Sequence, residues 1–383
     1  MSDRTIYLDH AATTALDTRV LDAMIPYLTT EYGNASSIYT LGRHAMQAID
    51  SAREQVADIL NSRPTEVTFT GCGSESDNLA IKGIAFASQK KGNHIITTPI
   101  EHHAVLYTCQ YLERFGFKTT YVPVDSYAQV DPDDVGRAIT DQTILVSVMY
   151  ANNEVGTIEP VAEIGRICRA KKIPFHIDAV QAGGSLPLDV AALNADLLSL
   201  SAHKFYGPKG VGILYARQGM RLLPQLQGGS QERGRRAGTE NVAGIIGAAA
   251  ALCLAYEEQP LIQPRIMALR DRLIDGLLAI SGSQLTGHPT NRLANNASFC
   301  FEGVEGESIL LNLDLLGVAA STGSACTSGS VDPSHVLVAM GIPVEVAHGS
   351  LRLTLGKNNT DADVDVILSA VPGIIEKLRG LRG

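Results

Sequence analysis

Between residues 66 and 201, short β-branched runs alternate with stretches of helical spacing, and few folds accommodate that rhythm. The runs fall at 66–70, 94–98, 119–124, 143–150, 174–178 and 197–201, with helical patterns between several of them, as at 104–115 and 161–172. Strands that are apolar almost throughout bury both faces, unlike alternating strands with one wet face. The pattern therefore predicts a mostly parallel sheet covered by helices on both sides. Ligands of such sheets bind beyond the carboxyl ends of the strands. Ahead of this block, Ala45, Ala48, Ile49, Ala52, Val56, Ile59 and Leu60 keep helical spacing.

After Pro260 and Pro264 the rhythm changes. A helix over 266–279 is expected to lead to a strand near 297–301, a helix near 307–316 and a strand at 317–321. A helix near 334–340, a strand at 351–355 and a last helix from Asp361 complete a second α/β unit. At 383 residues the chain exceeds the size at which one core stops growing. The division expected is a large unit over 15–258 and a smaller one made of 1–14 and 259–383. No internal repeat is evident.

The formal net charge of -9 argues against a surface for nucleic acid or anionic membrane. A small basic patch at Arg233, Arg235 and Arg236 fits a loop handling one anion, or a subunit contact. The apolar run 242–256 is short for a bilayer span and reads as a buried helix. No secretory signal is visible at the N-terminus, so the expected compartment is the cytoplasm. Six cysteines lack C-x-x-C spacing, which makes a disulfide framework unexpected there. Cys109, Cys168, Cys253 and Cys300 sit among apolar neighbours and are expected to be inert core residues.

Chemistry is expected where strands end. The segment His176-Ile177-Asp178-Ala179-Val180-Gln181 puts an acid at one strand end, and Ser201-Ala202-His203-Lys204 puts an amine after the next. A single Asp there is ordinarily a turn former, and a lone Lys ordinarily reaches for solvent. Together they suit a pyridoxal phosphate site, with Lys204 forming the Schiff base and Asp178 keeping the pyridine nitrogen protonated. Gly71-Cys72-Gly73-Ser74-Glu75-Ser76 follows a strand and opens a helix, so backbone N–H groups there can seat a phosphate, although a plain tight turn reads the same way. In Glu101-His102-His103 the adjacent imidazoles do not suit one metal, but one of them can stack on a ring and move protons. Cys326 stands in a small, polar, glycine-flanked run, Ser321 to Ser330, which reads as a loop presenting a reactive thiol.

These residues resemble the NifS/IscS-type cysteine desulfurases, within the class V aminotransferase-like enzymes. The likeness runs nearly end to end, through Tyr7 to Thr14, Glu101 to Leu106, Ala151 to Gly156, His176 to Gln181, Ser201 to Lys204, Gly234 to Asn241 and the Cys326 run. It implies an α/β fold with a mostly parallel seven-stranded sheet, as in aspartate-aminotransferase-like pyridoxal-phosphate-dependent transferases, plus a smaller α/β domain. It implies that Lys204 carries the cofactor, Asp178 pairs the pyridine nitrogen, Gln181 meets the phenolic oxygen and His102 stacks on the ring as acid/base. Gly73, Ser74, Ser201 and His203 would hold the phosphate, joined by Thr239 from the other subunit of a homodimer. Asn153 would lie against cofactor and substrate, and Arg352 would bind the carboxylate of L-cysteine. Cys326 would take the sulfur as a persulfide for an acceptor or iron–sulfur scaffold protein, and act transiently as a metal ligand to a cluster shared with that scaffold. Two positions depart from the family pattern: Ser74 stands where Thr is common, and Thr322 where Ser is common. A selenocysteine lyase, or another class V aminotransferase-like enzyme, is the alternative.

Overall fold

The structure is a computed structural model that describes residues 5–323 and 333–381. A short strand, β1 (Ile6–Tyr7), precedes the main sheet, whose strands are β2 (Val67–Thr70), β3 (His94–Thr97), β4 (Lys118–Tyr121), β5 (Thr143–Met149), β6 (Phe175–Asp178), β7 (Leu197–Ser201) and β8 (Gly212–Ala216). Their spatial order is β2-β8-β7-β6-β5-β3-β4. β4, β3, β5, β6 and β7 pair in parallel, while β8 runs antiparallel to both β7 and β2. All seven residues of β5 are buried, as its uninterrupted apolar character predicts.

Helices cover both faces. They are α1 (Thr18–Thr29), α2 (Thr40–Leu60), α3 (Gly73–Ser88), α4 (His103–Glu113), α5 (Pro132–Ala138), α6 (Val161–Lys171) and α7 (Val242–Leu278). On α2 the buried stripe is Ala45, Ile49, Ala52, Val56 and Leu60, at the spacing one helix face requires. A second apolar cluster gathers around the antiparallel strands β9 (Ser283–Leu285), β10 (Asn296–Phe301) and β12 (Ser350–Thr354). Strand β11 (Val318–Ala319) pairs with β1, which brings Leu8 into this cluster. The remaining helices are α8 (Gly306–Asp314), α9 (His335–Ala339), α10 (Val344–Ala347) and α11 (Asp361–Gly380).

Two expectations are corrected here. Strand β8 was not among the strands read from the sequence. Pro260 and Pro264 do not end a helix but lie inside α7, which is continuous over 37 residues. Its buried residues stop at Leu252 and resume at Ile266, so both prolines fall in the section between two cores. Each half is fixed by its own packing, α2 and α1 on one side and α11 with β9 and β10 on the other. That packing outweighs the roughly 3 kcal/mol that a proline costs inside a helix. The divide expected at 258/259 falls within this section of α7.

Candidate active site

The carboxyl ends of the main-sheet strands open on a cavity of about 1040 Å³, counting its mouth. Gly73 and Ser74 reach it from the turn after β2, His102 from the turn after β3, and Asn153 from the turn after β5. Asp178 and Gln181 come from the end of β6; Ser201, His203 and Lys204 come from the end of β7. Arg352 enters from β12 of the second cluster. Thr239 is exposed and lies outside this cavity of its own chain. Cys326 lies outside the described residues.

One end of the cavity is built for an anion. Among the described residues no side chain caps the start of α3, so its first-turn N–H groups and helix dipole are directed at the cavity. Gly73 N–H is 3.4 Å from Ser201 Oγ. A Cβ at Gly73 would come within 2.9 Å of Val180 Cγ2 and 3.2 Å of Ser201 Cβ. Glycine is what lets the helix start lie against β7 at all. Glu75, in the same turn, turns its carboxylate away, accepting from Gly71 N–H at 2.6 Å and Arg236 Nε at 2.9 Å. Two of the three residues of the expected basic patch are thereby explained: Arg236 braces this turn, and Arg235 donates to Thr65 O at 3.2 Å. Burial, with the charges of Lys204 and Lys209, lowers His203 to about 4, and its Nδ1 lies 3.1 Å from Thr13 Oγ1.

The middle of the cavity pairs opposite charges. Asp178 is directly registered with Ser199 of β7, so the acid and Lys204 leave neighbouring strand ends. Asp178 is 5% exposed, and burial raises its carboxyl while Lys204 opposes the rise. Lys204 Nζ donates to Ala12 O at 2.8 Å and to Ala11 O, and Gln181 Nε2 donates to Ala11 O at 2.9 Å. His102 caps α4: its Nδ1 accepts from Ala104 N–H at 3.1 Å. An acceptor at Nδ1 places the proton of the neutral ring on Nε2. Burial, with Lys204, His103 and His335 nearby, lowers His102 to about 4, so the ring is neutral at pH 7.

The third part carries a fixed guanidinium. Arg352 is 2% exposed, donates to Asn153 O at 2.8 Å and pairs with Asp9 Oδ1 at 2.6 Å. Among the described residues its Nε is buried without a hydrogen-bond partner. A pinned fork with a donor to spare is what a substrate carboxylate requires.

Sequence reasoning missed several members of this site. The carbonyls of Ala11 and Ala12 hold Lys204, but a backbone acceptor has no residue signature. Asp9, in the same motif, was not assigned the Arg352 pair. Asp77 lines the cavity one turn into α3 and is 1% exposed, and burial with the charge of Asp178 pushes its carboxyl well up. Its signal was its spacing, four residues after Gly73 and so on the same helix face. Among the cysteines, Cys109, Cys168 and Cys300 are buried as expected, while Cys253 is only half-buried and Cys72 is exposed at the cavity.

A sheet of this topology with a lysine and an acid at adjacent strand ends defines the aminotransferase-like class of enzymes. Residues 6–367 match the family described as aminotransferase class-V. A cysteine desulfurase IscS from Methanosarcina thermophila is 55% identical over 379 residues, 99% of this chain and 94% of the relative. One from Dictyoglomus turgidum is 53% identical, covering 98% of this chain and 96% of the relative. Among solved structures, a NifS-like protein superposes with a TM-score of 0.92 at 41% identity, over 98% of this chain and all of the other. SspA in complex with cysteine gives a TM-score of 0.83 at 36% identity, over 93% and 100%. The chain belongs to the class-V aminotransferase family, and within it to the cysteine desulfurases of the NifS/IscS type.

Proposed function

We propose that the chain converts L-cysteine to L-alanine with pyridoxal 5'-phosphate as cofactor, and moves the sulfur onto Cys326 for delivery to an acceptor protein, in iron–sulfur cluster assembly. The observation that carries this reading is the cavity itself: an uncapped helix start, a buried acid raised by burial, and a lysine amine at its wall. These three fit, in order, a phosphate, a cationic ring nitrogen and an aldehyde. When bound, the cofactor supplies an electron sink that weakens the substrate's C–S bond.

The chain's own residues account for the rest. Arg352 and Asn153 orient the substrate carboxylate. His102, neutral with Nδ1 occupied by the backbone, exchanges a proton through Nε2. Lys204 returns to the carbonyls of Ala11 and Ala12 when displaced. Cys326 attacks the substrate sulfur as a thiolate; the C–S bond breaks, an S–S bond forms, and the carbon takes up a proton. In this reading the enzyme is a cytoplasmic homodimer, in which Thr239 of each subunit completes the partner's phosphate seat.

The test is alanine and sulfide release from L-cysteine under reductant, in wild type and Cys326→Ser. A serine hydroxyl is barely ionised at neutral pH, so alanine formation should fall by orders of magnitude while cofactor content is kept. Unchanged alanine formation in the variant would sink the persulfide route and favour a lyase.

A further inference from the structure

Beside the cavity one buried carboxylate touches two distant parts of the chain. Glu154 follows Asn153 and is 4% exposed. Its backbone is held by Asn152 Oδ1, which accepts from the N–H groups of Glu154 at 2.8 Å and Val155 at 3.0 Å. On one side the Ser334 hydroxyl donates to Glu154 Oε2 at 2.5 Å while accepting from Val336 N–H at 3.1 Å and Leu337 N–H at 3.3 Å. That hydroxyl is the N-cap of α9, and the carboxylate sets its direction. On the other side stands Gly323, at φ +93°. A Cβ there would lie 3.3 Å from Glu154 Oε2 and 3.5 Å from Glu154 Cβ.

The Gly323 contact connects to the substrate end of the cavity, and the Ser334 contact to the residues on either side of His102. Gly323 O is 3.5 Å from an Arg352 terminal nitrogen, and Gly323 N–H donates to Ser321 Oγ at 3.1 Å. Ser321 and Arg352 exchange backbone hydrogen bonds of 2.6 and 3.3 Å. Beyond Ser334, His335 Nε2 lies 3.0 Å from Glu101 O, and its ring packs 4.9 Å from that of His103. A buried carboxylate is costly unless its hydrogen bonds are used. Here one is used on Ser334 while Gly323 packs against the same side chain, so Glu154 meets residues on either side of 324–332, the segment that contains Cys326.

We propose that Glu154 is a positioning residue for sulfur transfer: by holding Ser334 and packing on Gly323, it fixes both attachment points of the Cys326 segment relative to Asn153 and Arg352. The inference rests on the reading of Cys326 as sulfur acceptor. Cofactor and cysteine binding precede that transfer and do not need the clamp, so their constants are separable from it. Misplacing a reacting group by about 1 Å can cost a hundredfold in rate.

The experiment compares Glu154→Ala, Glu154→Gln and Cys326→Ser holoenzymes with wild type. It reads cofactor content, KM for cysteine, kcat for alanine, and persulfide on Cys326 by mass spectrometry after one turnover. Glu154→Ala should keep cofactor content and KM within about twofold while kcat and persulfide yield fall on the order of tenfold to a hundredfold. Glu154→Gln, whose amide oxygen still accepts from Ser334, should recover most of that loss. Ser334→Asp keeps an N-cap acceptor but opposes a second carboxylate to Glu154, and should show the same kcat loss even if Glu154→Ala does not fold. An unchanged kcat in folded Glu154→Ala or in Ser334→Asp overturns the proposal, as does a loss that comes with released cofactor or a raised KM. Full alanine formation by Cys326→Ser would overturn the sulfur-acceptor reading instead, whatever Glu154→Ala shows.

Discussion

Lys204 is the residue on which the site turns, because its amine is held at the cavity wall by the carbonyls of Ala11 and Ala12. Lys204→Ala should therefore bind pyridoxal phosphate without a covalent link. Borohydride treatment followed by mass spectrometry should add no cofactor mass, and turnover should vanish. A labelled Lys209 in an active variant would show that the site is misplaced. Glu101 gives a second test at this scale. Its Oε1 accepts from Thr98 at 2.7 Å and Met149 N–H at 3.0 Å, its Oε2 has no partner among the described residues, and burial raises it from 4.5 to about 8. A carboxyl raised on folding binds more protons in the native state, so its contribution is full below pH 4.5 and is lost as pH rises through about 8. Glu101→Gln removes that dependence. The Tm of the variant relative to wild type should rise steadily between pH 4.5 and 8 and level off above; parallel curves would mean that Glu101 is ionised throughout. Side chains with chemistry were legible in the sequence because amine, acid and imidazole stand at strand ends. What stayed hidden was supplied by backbone, or by a residue such as Asp77 whose role exists only once α3 is set against β7.

At the scale of elements, the sequence carried the parallel strands well, since strands buried on both faces write long apolar runs. Strand β8 escaped because Gly212-Ile213-Leu214-Tyr215-Ala216 is brief, opens on glycine and follows another strand with only a single 3-10 turn, Ala202–Lys204, between them. Helix α7 escaped for the opposite reason. Its prolines are a local stop signal, and two cores on either side overrule it. The start of α3 shows an element whose function depends on one missing atom. Gly73→Ala must push Val180 or Ser201 away, which moves the first-turn N–H groups from the phosphate seat. Equilibrium binding of pyridoxal phosphate to the apo-chain should weaken by about tenfold or more, the loss of a charge-assisted hydrogen bond or two. Unaltered affinity would place the phosphate elsewhere.

At the scale of the whole molecule, one face of α1 is left apolar and exposed. On α1, Leu21, Ile25 and Leu28 stand on one face, 41%, 43% and 61% exposed, while the helix packs its other side on α7. Tyr32 at 71% and Ile38 at 90%, in the link from α1 to α2, are exposed as well. A continuous face of this kind ordinarily marks an interface. A homodimer joined there would cover it, and would account for Thr239 being exposed while lying outside the cavity of its own chain. The two features are linked by one prediction. Ile25→Glu puts a charge into the centre of the patch without touching Lys204, Asp178, His102 or the start of α3. Sedimentation at micromolar concentration should then show a monomer, and cofactor occupancy should drop with it because the partner's contribution to the phosphate seat is lost. Adding Thr239→Ala to wild type should reproduce the weaker cofactor binding while the dimer persists. A monomeric Ile25→Glu chain with full cofactor occupancy would contradict the shared site, and a dimeric one would move the interface off α1.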